Sequence, residues 1–193
     1  MARIVLVHGA FGRAANWDRV APGLRAAGHE VEAIDLPGQG DDPTPVAEVT
    51  LDRYAARVCE ALASGPRAVL VGHSMGGVVI TQAAARCPER IERAREGLMH
   101  CCDDEAAAWA ASLRGTQPVA PFTHPVQIDG GEAFAGLPRA YVMCLQDRAI
   151  KPALQRLMLK RAGCDPVIEI DTDHSVWASR PNELVAALDR LAA

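Results

Sequence analysis

Residues 69–79 read VLVGHSMGGVV, and few folds accommodate that string. The apolar, β-branched run over 67–72 suits a buried strand. It stops at Gly72, a serine follows between glycines, and small apolar residues then recur at helical spacing over 75–87. A chain can pass from strand to helix that abruptly only where side chains are missing from the crowded positions, which Gly72 and Gly76 provide. Such a turn belongs at the carboxyl end of a strand in a helix-covered sheet.

The rest of the chain repeats the alternation. RIVLVHG (3–9), HEVEAIDLPGQG (29–40), RAYVMCLQD (139–147) and PVIEIDTDH (166–174) read as strands. Between them, 16–28, 50–65, 151–163 and 180–193 read as helices, with Asn16 and Thr50 as caps of the first two. The pattern predicts an α/β fold with a mainly parallel sheet and helices on both faces. A length of 193 residues fits one domain spanning 1–193. Residues 88–138 break the rhythm. A helix is expected at 103–114, and 116–131 carries three prolines and two glycines, so the segment reads as a reduced cap inserted between strands.

Composition narrows the function. With 49% hydrophobic and 23% charged residues and a net charge of −4, the chain has no basic footprint for nucleic acid. The N-terminal apolar run ends at His8, too early for a secretory leader. No stretch approaches the ~18 apolar residues of a membrane span. A cytoplasmic location and no membrane partner are therefore expected, and the six cysteines, Cys59, Cys87, Cys101, Cys102, Cys144 and Cys164, are expected as reduced thiols. HCCDD (100–104) lacks a second Cys/His pair at zinc-like spacing, so neither metal nor cofactor is expected.

Gly72-His73-Ser74-Met75-Gly76 matches G-x-S-x-G in a strand–turn–helix context, the setting of a nucleophile elbow. The turn would project Ser74 Oγ from the sheet, and the Met75 amide at the following helix N-terminus would supply half of an oxyanion hole. The loop after the first strand would supply the other half through the Ala10 amide. A serine hydroxyl needs a base to remove its proton, and the base needs a carboxylate to orient it. His100 and His124 fall in the insert, whereas His174 follows the last strand and is the expected base. Asp147 ends the strand before it and is the expected acid. Asp171 and Asp173 lie too close in sequence to reach the far ring nitrogen, and Asp103 and Asp104 can cap a helix. His8 and His73 read as structural. Phe11, Trp17, Trp109 and Phe122 are the aromatic candidates for lining a substrate pocket.

These residues together resemble the α/β-hydrolase superfamily. More narrowly, the chain is similar to the small esterase branch containing plant methylesterases, hydroxynitrile lyases and bacterial EstC-like esterases. VLVHGAFGRAANWDRV, VEAIDLPGQGDDP, VGHSMGGVVITQAA, YVMCLQDRAIKPALQRLM and IDTDHSVWASRPNEL carry the resemblance over most of 3–87 and 139–192. It implies Ser74 as nucleophile, Asp147 as acid, His174 as base, the Ala10 and Met75 amides as oxyanion donors, and a small-molecule ester as substrate. The lyases of this branch carry Thr after the first-strand histidine and Lys after the catalytic one. Gly9 and Ser175 stand there, which favours ester hydrolysis over cyanohydrin cleavage.

One departure concerns the middle. The branch follows PERI with an apolar strand, but here ERAREG is charged and helix-prone. The expectation is that this core strand is missing or reduced to LMHCC (98–102), and that the open sheet would invite pairing with a second chain as a homodimer. A catalytically weak relative that binds a small apolar ligand is the alternative this departure motivates, ahead of a lyase.

Overall fold

The computed structural model describes residues 1–95, 103–128 and 131–193. Four strands form one parallel sheet in the order β2-β1-β3-β4: β1 (Arg3–Val7), β2 (Glu30–Ile34), β3 (Ala68–Gly72) and β4 (Ile91–Arg95). β5 (Tyr141–Cys144) and β6 (Val167–Ile170) form a second parallel pair. The register aligns Val7 with both Ile34 and Gly72, so the carboxyl ends of β1, β2 and β3 share one rim.

Alternation along β1 sets the layers, because successive strand side chains point to opposite faces. Ile4 and Leu6 pack with Val69, Val71, Trp177 and Leu188 on one face; Val5 and Val7 pack with Leu70, Tyr54, Val58 and Val79 on the other. Helices α1 (Ala21–Ala26) and α9 (Pro181–Ala192) cover the first face, and α2 (Leu51–Ala63) and α3 (Met75–Arg86) cover the second. Thr50 caps α2 as expected, its hydroxyl accepting from the Arg53 amide at 3.1 Å. Asn16 does not cap a helix. Residues Ala14–Trp17 form a 3-10 turn, and the Asn16 side chain accepts from the Arg13 amide at 2.7 Å.

Two further expectations need correction. The sequence offered no strand over 91–95, yet β4 pairs with β3 there, through a register shift at Ala68/Val69. Ladder hydrogen bonds are made by the backbone, so an edge with groups to satisfy can override poor strand propensity. The LMHCC alternative (98–102) lies outside the described residues. The second correction is a disulfide between Cys59 on α2 and Cys87 just after α3, where reduced thiols were expected. The two residues lie 28 positions apart, and only the side-by-side packing of α2 and α3 brings them together.

Between β4 and β5 the described residues form α4 (Asp104–Ser112), α5 (Ala120–Thr123) and α6 (Gly131–Ala135). Asp103 caps α4 through the Ala106 amide at 2.8 Å. α7 (Pro152–Ala162) and α8 (Val176–Ser179) complete the chain. Among the described residues no helix is long and apolar enough to cross a membrane, and no cluster of His, Cys, Asp and Glu could hold a metal ion. Residues 100–102 of the HCCDD string lie outside them.

Candidate active site

The elbow explains its own glycines. A Cβ on Gly72 would sit 2.6 Å from the Gly76 carbonyl carbon and oxygen, and one on Gly76 would sit 2.7 Å from the Val7 and His8 carbonyl oxygens. Real side chains do not approach backbone that closely, so strand and helix can meet here only without them. Between them Ser74 takes φ +54°, a left-handed conformation rare outside glycine, immediately ahead of α3. The turn is tied to β1 by the His73 amide donating to Val7 O at 2.9 Å. Gly9 presses on it from the next loop, where a Cβ would lie 2.9 Å from that of Ser74.

Asp147 and His174 meet at the same rim. Their loops follow β5 and β6, which pair Cys144 with Ile170. His174 Nδ1 lies 3.0 Å from Asp147 Oδ2. Asp147 Oδ1 accepts from the Ala149 and Ile150 amides, each at 2.8 Å, which fixes the carboxylate. Gln155 on α7 braces the turn. Its amide group donates to the Ile150 carbonyl at 2.7 Å and the Cys144 carbonyl at 3.1 Å. Sequence reasoning missed Gln155, since a glutamine on a helix reads as solvated, yet it is 1% exposed. Asp171 and Asp173 serve other partners: Asp171 accepts from the Gln146 side chain at 2.9 Å, and Asp173 from the Ser175 amide and the Ser179 hydroxyl, both at 3.0 Å.

A cavity of about 180 Å³ opens at this rim. Ser74 and His174 line it together with Gly9, Ala10, Phe11 and Trp177, and Asn16, Ala110 and Arg114 complete much of the wall. Met75 is buried and begins α3. Of the four aromatic candidates only Phe11 lines the cavity. Trp17 is 2% exposed in the core beneath, its indole edge-on to His73 at 6.5 Å. Trp109 stacks edge-on against Trp177 at 5.5 Å under the Arg19 guanidinium, and Phe122 lies out on the surface of α5. Trp177 replaces them. Its place just after His174, at the start of α8, was the available signal.

Both flanking histidines are buried. Burial pulls the His8 imidazole down to about 4, and it accepts from the Leu36 amide at 3.2 Å while its Nδ1–H donates to Gly9 O at 2.8 Å. Burial holds His73 down at about 3, and its Nε2–H donates to the His174 carbonyl at 2.9 Å. His73 thus ties the serine turn to the loop of His174.

The model of the "Alpha/beta hydrolase family" matches residues 4–102 and 89–188, so nearly the whole chain is covered. This chain belongs to the alpha/beta hydrolase family. Among its relatives, salicylic acid-binding protein 2 of Nicotiana tabacum is 26% identical over 97% of this chain and 96% of the relative. The pyrethroid hydrolase of Sphingobium wenxiniae is 27% identical over 96% and 85%, and the alpha-hydroxynitrile lyase of Arabidopsis thaliana 27% over 97% and 96%. These alignments run over 241 to 251 positions against 193 residues here, so the relatives carry segments this chain lacks. Among solved structures, polyneuridine aldehyde esterase superposes with a TM-score of 0.90 at 23% identity, covering 100% of both chains. A methylesterase from Arabidopsis also gives 0.90, at 22% identity over 99% and 98%. At those identities the likeness establishes the α/β-hydrolase fold.

Proposed function

We propose that the chain is a serine hydrolase that cleaves a small carboxylic ester through an acyl-enzyme. The observation that carries this reading is the meeting of three parts at one cavity: Ser74 on a left-handed elbow, and His174, whose Nδ1 is bonded to a buried Asp147. Esterases and hydrolases among the relatives support the same substrate class.

Ser74 Oγ attacks the ester carbonyl as its proton passes to His174 Nε2, the nitrogen opposite the one engaged by Asp147. Asp147 stabilises the imidazolium that forms. The Ala10 and Met75 amides hold the oxyanion, helped by the N-terminus of α3. Collapse expels the alcohol, which takes the proton from His174. Water then adds to the acyl-enzyme with His174 again as base, releasing the acid and restoring Ser74. The position that would need a cation for cyanohydrin cleavage holds Ser175, which is fully buried.

The test is a series of p-nitrophenyl esters from acetate to dodecanoate, run beside Ser74→Ala. The variant should lose at least about 1,000-fold in kcat while melting at an unchanged temperature. A cavity of about 180 Å³ favours the short esters, so kcat/KM should fall more than about tenfold by dodecanoate. A folded protein whose Ser74 resists a fluorophosphonate would instead support the reading as a ligand-binding relative without turnover.

A further inference from the structure

Phe11, like Ser74, is a non-glycine residue at a left-handed backbone position, with φ +61°. It follows Ala10, whose amide the proposed mechanism uses. Phenylalanine does not adopt that conformation without something to hold it. Its own side chain offers little, being about half exposed. Both backbone groups of Phe11 are instead held by the segment after α4. The Phe11 amide donates to Gln117 Oε1 at 3.0 Å, and the Phe11 carbonyl accepts from the Gly115 amide at 2.8 Å.

Gln117 is itself supported from the core. Its Oε1 also accepts from Gln39 Nε2 at 2.8 Å. Gln39 is 4% exposed, and its Oε1 accepts from the Tyr54 hydroxyl at 3.0 Å, on a residue of α2 with no exposed surface. The Gln117 amide group is oriented by donating to the Pro118 carbonyl at 2.8 Å. A fixed line of hydrogen bonds therefore runs from the helix layer, through two glutamines, to the loop beside the elbow. The Gly12 amide closes that loop on Gly9 O at 3.2 Å.

We infer that Gln117 is a positioning residue: with Gly115 it clamps Phe11 from the inserted segment and so aims the Ala10 amide at the oxyanion. This rests on the serine-esterase reading. Gln117 touches neither substrate nor reacting atoms, and its effect passes through the loop. Displacing the donor costs more in the transition state than in the ground state, where the ester carbonyl asks little of it. The insert thus contributes to turnover as well as lining the site through Ala110 and Arg114.

The experiment compares the full-length wild type with Gln117→Met, which removes the acceptor, and Gln117→Glu, which keeps an oxygen for both donors. In Gln117→Met, kcat for p-nitrophenyl acetate should fall about tenfold with KM within about twofold, the split expected when transition-state stabilisation is lost. Affinity for a trifluoromethyl ketone, which adds to the serine as an oxyanion, should fall by a similar factor. Amide exchange over residues 9–12 should speed up in Gln117→Met and stay protected in Gln117→Glu. Gln39→Met, which cuts the support behind Gln117, should give the same pattern at smaller size and serves if Gln117→Met does not fold. Unchanged exchange in a folded Gln117→Met, or an unchanged kcat and ketone affinity, overturns the inference. A wild type that hydrolyses no ester, yet loses loop protection in Gln117→Met, overturns the esterase reading and leaves the clamp supported.

Discussion

His8 and His73 are adjoining buried bases, both held neutral by burial, and His8 also by the hydrogen bond its ring accepts. His73 needs its Nε2–H for the His174 carbonyl, and His8 needs an unprotonated Nε2 for the Leu36 amide. Their folded-state pKa values lie at about 3 and about 4, below the ordinary 6.5, because burial penalises the charged ring. The unfolded chain therefore takes up protons first as pH falls, and stability drops from pH 6.5 downward towards those values. The losses are about 3 kcal/mol for His8 and about 5 kcal/mol for His73 if the fold persists that far. Urea midpoints measured from pH 7 to pH 4.5 should fall steadily, with most of the fall below pH 6. A flat profile would contradict the neutral, buried state of both rings. The same two residues show what a motif leaves open: G-x-S-x-G reserves a place for His73 but says nothing of its bond to a loop 101 residues away.

At the scale of elements, the junction of β3 and α3 decides whether the site exists. Gly76 packs against the Val7 and His8 carbonyls of the neighbouring strand and loop, and backbone there cannot retreat as a flexible side chain would. Gly76→Ala must lift the start of α3 and carry Ser74 with it. The expected cost is about 1–3 kcal/mol in urea unfolding, the range for overpacking a filled site. Turnover should fall about 100-fold, as for a displacement near 1 Å at reacting groups. This junction could be read directly, since glycines at fixed offsets between a strand pattern and a helix pattern have few other uses. β4 could not. Its charged IERAR string has the composition of a helix, and the neighbouring edge of β3, absent from any local window, makes it a strand.

Across the whole molecule, the Cys59–Cys87 bond joins the two helices of one layer and closes a loop of 28 residues. Closing a loop of that size removes unfolded-state entropy worth about 3 kcal/mol. Reduction with dithiothreitol, or Cys87→Ser, should lower the melting temperature by about 10 °C. An unchanged melting temperature with the thiols shown to be reduced would contradict that contribution. The alternation of strand and helix patterns, the elbow and the chain order Ser74, Asp147, His174 were carried by sequence, because period, glycine placement and chain order are local or one-dimensional properties. The pairing of two cysteines, the strand at 91–95, the replacement of Trp17, Trp109 and Phe122 by Trp177 at the cavity, and the reach of Gln117 to Phe11 were decided by tertiary structure. Each depends on which surfaces come to lie side by side, and packing of distant segments leaves no periodic trace in the chain.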